Sequence, residues 1–141
     1  MIYSPNGLLP IENLKKGDSV YSFNFDKRVI EIKPIINTIS SYVKTIYELK
    51  VEDEIIKVTG AHPFYVVGKG WTRVQDLRVN DNLFSSEQKT FKIKLIKQLQ
   101  EDTDVYNIEV ADNNNYFVTK ATFLVHNKNI SFLQQLGLKN K

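Results

Sequence analysis

Two short stretches of this 141-residue chain combine residue types that could break a peptide bond. In TFLVHNK an apolar run ends on His126 and Asn127, with Lys128 next. The side-chain amide nitrogen of an asparagine can attack its own main-chain carbonyl, closing a five-membered succinimide and cutting the bond to the following residue. That step needs a polarised carbonyl, a side chain held in the attacking geometry and a proton for the departing amine. An adjacent imidazole titrates near neutral pH and can act as acid or base. A strand that simply stops at a turn would also end this way, since asparagine suits turns. The second stretch, VTGAHPFYV, sets Thr59 three residues before His62. Both side chains can then address one backbone amide; alternatively Thr59 bonds to neighbouring backbone and His62-Pro63 opens a strand.

These are the only two histidines, and the chain has no cysteine. Disulfides, thiolate metal sites and a cysteine nucleophile within the chain are thereby excluded. Two histidines without cysteines form no recognisable metal-ligand set, and no cofactor is expected. A net charge of +3 is mild, and the lysines are scattered among acids instead of clustered, which argues against a nucleic-acid footprint. No apolar run approaches the length of a membrane span, and MIYSPNGLLP lacks the features of a secretory signal.

The elements that must position these residues are strands. VYSFNF (20–25), RVIEIKPII (28–36), IYELKV (46–51), EIIKVT (54–59), PFYVV (63–67), FKIKLIK (91–97), VYNIEV (105–110) and NYFVT (115–119) are short, rich in β-branched and aromatic residues, and often alternate apolar with polar. Turn chemistry falls at Pro5-Asn6-Gly7 and at Asp112 to Asn115. Only two helical turns are expected, at 11–15 and 73–78. The class is all-β.

The chain also repeats itself. IENLKKGDSVYS (11–22) aligns with VQDLRVNDNLFS (74–85) at an offset of 63, and IYELKV (46–51) with VYNIEV (105–110) at an offset of 59. Two pairs in the same order at nearly one offset indicate duplication, with two similar halves around a pseudo-two-fold axis. Each half holds one histidine near the end of its last strands, so symmetry can bring the two together.

VTGAHPFYV, Gly70-Trp71, Asp76-Leu77, DNL (81–83), VYNIEVADNNNYFV (105–118) and LVHN (124–127), together with IYSPNGLLPIENLKKGDSV (2–20), closely resemble the Hint domains: inteins, bacterial intein-like domains and the processing domains of hedgehog proteins. The resemblance implies a β horseshoe of two pseudo-symmetric subdomains over residues 1–127. It also implies single-turnover self-processing. An N-terminal nucleophile attacks the preceding carbonyl with help from the residues matching Thr59 and His62, and asparagine cyclisation by the pair matching His126 and Asn127 releases the C-terminal side. Family members open with their nucleophile about six residues before the position of Met1, so the chain is expected to need a short N-terminal peptide carrying it and to process little alone. Lys128 occupies the position where a splicing intein has Cys, Ser or Thr; a charged amine is a poor acyl acceptor, which favours C-terminal cleavage over splicing. Asn107 stands where many inteins have Asp, an exchange expected to weaken coupling between steps, and Asn114 stands where the family often has a histidine, so it can hydrogen-bond but not shuttle a proton. Residues 128–141 read as flanking, extein-like sequence, either a flexible peptide or a short amphipathic helix. A rival reading is a non-catalytic β scaffold that binds a peptide strand at an open edge.

Overall fold

Alternating sequence becomes strand almost throughout the computed structural model, which describes residues 1–127. Eleven strands form in chain order: β1 (Ile2–Ser4), β2 (Gly7–Leu9), β3 (Ser19–Asn24), β4 (Val29–Val51), β5 (Glu54–Val58), β6 (Pro63–Val66), β7 (Gly70–Arg73), β8 (Asn82–Phe84), β9 (Thr90–Val110), β10 (Asn115–Val118) and β11 (Phe123–His126). They join in one sheet of order β2-β1-β10-β11-β6-β8-β9-β4-β3, with β5 on β4 and β7 on β6, and every pairing is antiparallel. The all-β horseshoe class is thus observed. The expected amphipathic tail and Lys128 lie outside the described residues.

Two differences from the sequence reading concern strand length. The polar segments NTISSYVKT (37–45) and QLQEDTD (98–104) are strand, not loop, because they run opposite one another: Tyr42 pairs with Asp104, Val43 with Thr103 and Thr45 with Gln100. Each supplies the other's backbone hydrogen bonds, and residues of both are largely exposed, so burial need not reward them. Irregularities at Ile35/Asn37, Val43/Thr45 and Lys50/Val51 bend the ribbon, as bulges do. The expected helical turns are single 3-10 turns at Ile11–Asn13 and Val74–Asp76.

Duplication is visible bond by bond. Asp18 Oδ2 accepts from the Lys15 N–H at 3.0 Å, and Asp81 Oδ2 from the Arg78 N–H at 2.9 Å. The Gly17 N–H donates to Ile35 O and the Asn80 N–H to Ile93 O, both at 2.8 Å. Gly17 and Asn80 have φ of 95° and 78°, the left-handed region where glycine and asparagine are least strained. Leu14 and Leu77 are buried equally below their turns. The long ribbon obeys the same symmetry: Val51 pairs with Ile93 where its counterpart Val110 pairs with Ile35.

The main core combines both halves, with Val20, Leu49, Val51, Leu83, Ile93, Val110, Phe123 and Val125 fully enclosed. A smaller cluster of Phe23, Phe84, Phe117 and Leu124 packs with partly buried Tyr3, Tyr21, Phe25, Tyr65 and Trp71. Buried between strands β3 and β10 lies Asn115, whose side chain behaves as a missing strand partner. Its Oδ1 accepts from Phe23 N–H at 2.8 Å and from Ser22 Oγ at 2.7 Å, and its Nδ2 donates to Phe23 O at 3.0 Å. Asn115→Ala strands the Phe23 backbone groups and is expected to cost about 2–4 kcal/mol of stability, read as a lower urea midpoint; a midpoint equal to wild type would contradict this role.

Candidate active site

The turn from Thr59 to His62 is shaped by its neighbours. The His62 N–H closes on Thr59 O at 3.2 Å, and the turn is tied to the second 3-10 element by Gln75 N–H to Gly60 O at 2.9 Å and Val74 N–H to His62 O at 3.0 Å. Gly60 is required by proximity: a Cβ there would fall 2.8 Å from Tyr47 Cε1. Thr59 and His62 line a cleft of about 620 Å³ whose walls include Met1, Ile39, Asn107 and Tyr116. Ile39 and Asn107 face each other across the β4–β9 ribbon, so the two halves of the repeat close on one space.

His126 and Asn127 arrive on β11, which is held between β10 and β6 and buries Phe123, Leu124 and Val125 completely. His126 stands opposite Asn115 in the β10–β11 register and takes the edge of Trp71 at 5.0 Å between ring centroids, with the planes perpendicular. Asn127 is 1% exposed. Its N–H donates to Asn114 O at 2.9 Å, its Nδ2 to Val110 O at 3.3 Å, and its own carbonyl accepts from Asn107 Nδ2 at 2.6 Å. Its Oδ1 is buried without a hydrogen-bond partner among the described residues. Buried polar groups left in this condition are uncommon.

A relay of contacts joins the two stretches that the sequence singled out. The His62 and Tyr116 rings meet edge-on at 6.4 Å, the Tyr116 hydroxyl donates to Asn107 Oδ1 at 2.7 Å, and Asn107 reaches the Asn127 carbonyl. Asn114 takes part through its main-chain oxygen; its side-chain amide turns back to Asp112 O at 3.5 Å. Tyr116, the Val110 carbonyl and Trp71 were not among the residues picked out for chemistry. The clue to Tyr116 was its place in NNNYF, an aromatic carrying a hydroxyl inside an otherwise apolar strand, since buried tyrosines usually find a partner for that group.

Burial lowers the pKa of His62 to about 4, and the nearby His126 pushes in the same direction. His62 is therefore neutral at neutral pH. Burial also raises the Tyr116 hydroxyl above the ordinary tyrosine range, so it stays protonated and donates.

The family model of the pretoxin Hint domain matches residues 1–128. Among solved structures, the chain is similar to a bacterial intein-like domain from Clostridium thermocellum, with 32% identity and a TM-score of 0.86 over 90% of this chain and 94% of that one. It is also similar to the gp41-1 intein, with 25% identity and a TM-score of 0.74 over 89% and 92% of the two chains. A DnaB intein from Synechocystis shares the fold at 21% identity and a TM-score of 0.72, covering 85% of this chain and 86% of that one. No curated protein gives a match.

Because the folded His62 resists protonation while an unfolded one does not, the contribution of neutral His62 to stability is present in full above pH 6.5 and is lost as pH drops towards about 4. His62→Gln is expected to flatten that part of the stability-versus-pH curve in chemical denaturation; an unchanged slope would contradict the assignment.

Proposed function

The chain belongs to the pretoxin Hint family and is a self-processing domain of intein-like fold; from that premise we propose that its reaction is C-terminal cleavage at the 127–128 bond by cyclisation of Asn127. The observation that carries the reading is the state of Asn127: buried, at a strand end beside His126, with its amide nitrogen and its carbonyl each held by the end of β9. Conformational restriction of this kind removes much of the entropic barrier that makes asparagine cyclisation slow in free peptides. Val110 O accepts a hydrogen from Nδ2 and so raises electron density on the attacking nitrogen. In this reading His126, the neighbour of Asn127 in sequence, protonates the leaving amine of Lys128.

The bond changes balance without a co-reactant. Asn127 Nδ2 bonds to the Asn127 main-chain carbon and gives up one proton; the carbon–nitrogen bond to Lys128 breaks; the Lys128 amine gains one proton. The products are a C-terminal succinimide and a free N-terminus on the following segment. Lysine at the first position after the cut is a charged, poor acyl acceptor, which favours release over ligation.

Thr59 and His62 are assigned to the earlier acyl-shift step. The cleft they line receives an extended segment that carries the nucleophile, either continuous with Met1 or supplied as a separate short peptide, as in splicing in trans. Support comes from the presence of Met1 on the wall of the same cleft as His62. Ser4 does not serve as that nucleophile, because its Oγ is engaged in the β1–β2 turn, donating to Gly7 O at 2.8 Å and accepting from Asn6 N–H at 3.1 Å. The segment released after Asn127 would be the downstream part of a precursor, as the family's pretoxin designation suggests.

Intact-mass analysis of the full chain should show fragments meeting at the 127–128 bond. Asn127→Ala should abolish them, and His126→Ala should slow their appearance by about 10²-fold or more. Undiminished cutting in Asn127→Ala would overturn the proposal, whereas a purely peptide-binding scaffold would show no cut in any variant and equal peptide affinity in all.

A further inference from the structure

We propose that Asn107 supplies the oxyanion donor for the cleavage of the 127–128 bond and that Tyr116 is the positioning residue that fixes the Asn107 amide for that task. The inference rests on the cyclisation reading above and adds the group that stabilises its transition state.

The Asn107 side chain is determined on both sides. Its Oδ1 sits 2.9 Å from the Ile108 backbone N–H, which can only donate, so that atom must be the oxygen. The Tyr116 hydroxyl adds a second hydrogen bond to the same oxygen at 2.7 Å. The other arm is therefore the NH₂ group, and it points at Asn127 O at 2.6 Å. No reorientation is needed when charge develops on that oxygen.

As Asn127 Nδ2 bonds to its own carbonyl carbon, the carbonyl π pair moves onto Asn127 O. An N–H held against this oxygen strengthens as negative charge grows. Such preorganised donors act on the transition state more than on the ground state, and removal of one typically costs about 10²–10³ in rate. An aspartate at the same position would accept from Ile108 and Tyr116 equally well but would present a second carboxylate oxygen to the developing oxyanion, repelling it. Only when protonated could it donate. Asparagine at 107 thus commits this chain to supporting the C-terminal cut at neutral pH through a contact that an ionised carboxylate cannot make.

Tyr116 acts through Asn107, not on the reacting atoms. Its ring is 1% exposed, packed in the main core next to His62, so its hydroxyl cannot swing away. Loss of the hydroxyl leaves Ile108 N–H as the remaining restraint on the Asn107 oxygen, and the amide gains freedom to turn.

The decisive experiment measures the rate of the 127–128 cut by intact mass in the full chain, for wild type, Asn107→Asp, Asn107→Ala, Tyr116→Phe and Asn127→Ala, from mildly acidic to neutral pH. Asn107→Asp is expected to be slower than wild type by about 10²-fold at neutral pH and to regain most of that loss relative to wild type as pH falls and the carboxyl protonates. Asn107→Ala should be slow at every pH. Tyr116→Phe should be slowed several-fold with an unchanged pH profile, and thermal melting of each variant shows whether it is folded. Wild-type rates in folded Asn107→Asp and Asn107→Ala, with Asn127→Ala inert, would overturn this inference and leave the cyclisation reading standing. Should both Asn107 variants fail to fold, a wild-type rate in Tyr116→Phe overturns it. Cutting by Asn127→Ala, or none by wild type, overturns the cyclisation reading and this inference together.

Discussion

A side-chain amide taken out of water must find partners or cost about 1–3 kcal/mol for each polar group left over, and the burial of Asn127 imposes that constraint on the whole site. The apolar Phe123–Val125 run draws β11 between β10 and β6, carrying Asn127 inside with it. Its N–H, Nδ2 and carbonyl are then met by Asn114 O, Val110 O and Asn107 Nδ2, all from the end of β9 and the turn that follows. Core packing therefore pushes Asn127 into place, while a single short stretch of chain holds it. Of the side-chain polar atoms of Asn127, Oδ1 is left without a hydrogen-bond partner among the described residues. The fold thus satisfies the Asn127 carbonyl and restrains its side-chain amide nitrogen, the arrangement on which the proposed intramolecular attack rests.

The duplication explains how one small domain builds such a place. Equivalent aspartates close equivalent turns at Asp18 and Asp81, and the ribbon of β4 and β9 pairs each half's long strand with the other's. A cleft between symmetric halves is lined from both, so the histidine of the first half and Asn107 of the second share its wall. Symmetry ends there. His62 lies in a turn that opens β6, whereas His126 closes β11, and only the second is followed by a buried asparagine. One scaffold thereby sets its two histidines in different surroundings, on which the two proposed chemical roles rest.

Much of this was legible in the sequence, for identifiable reasons. Period-two alternation located nearly every long strand, the offset of the repeat foretold the matched Asp18 and Asp81 turns, and His126-Asn127 stood out by residue type. The misses have a common cause. Strand at 37–45 and 98–104 depends on each segment's partner across the ribbon, and neither shows the apolar alternation that marks burial. Asn115 looked like the end of a turn, since its role in completing β3 is fixed by a residue more than ninety positions away. Asn107 was recognised as replacing an aspartate, yet the value of that exchange rests on lateral contacts with Tyr116 and the Asn127 carbonyl. Asn114, read as able to hydrogen-bond but not to shuttle a proton, meets Asn127 through its main-chain carbonyl while its side chain bonds to Asp112 O.

The central claim is that Asn127 itself performs the cut, and the chemical state of the newly made C-terminus tests it most directly. High-resolution mass spectrometry of the fragment ending at Asn127, taken early in the reaction in isotopically labelled water, distinguishes cyclisation from hydrolysis. The account predicts a fragment lighter by one water than the hydrolysed form and free of solvent oxygen. A fragment that carries solvent oxygen at its C-terminal carboxylate from the first time point would contradict it.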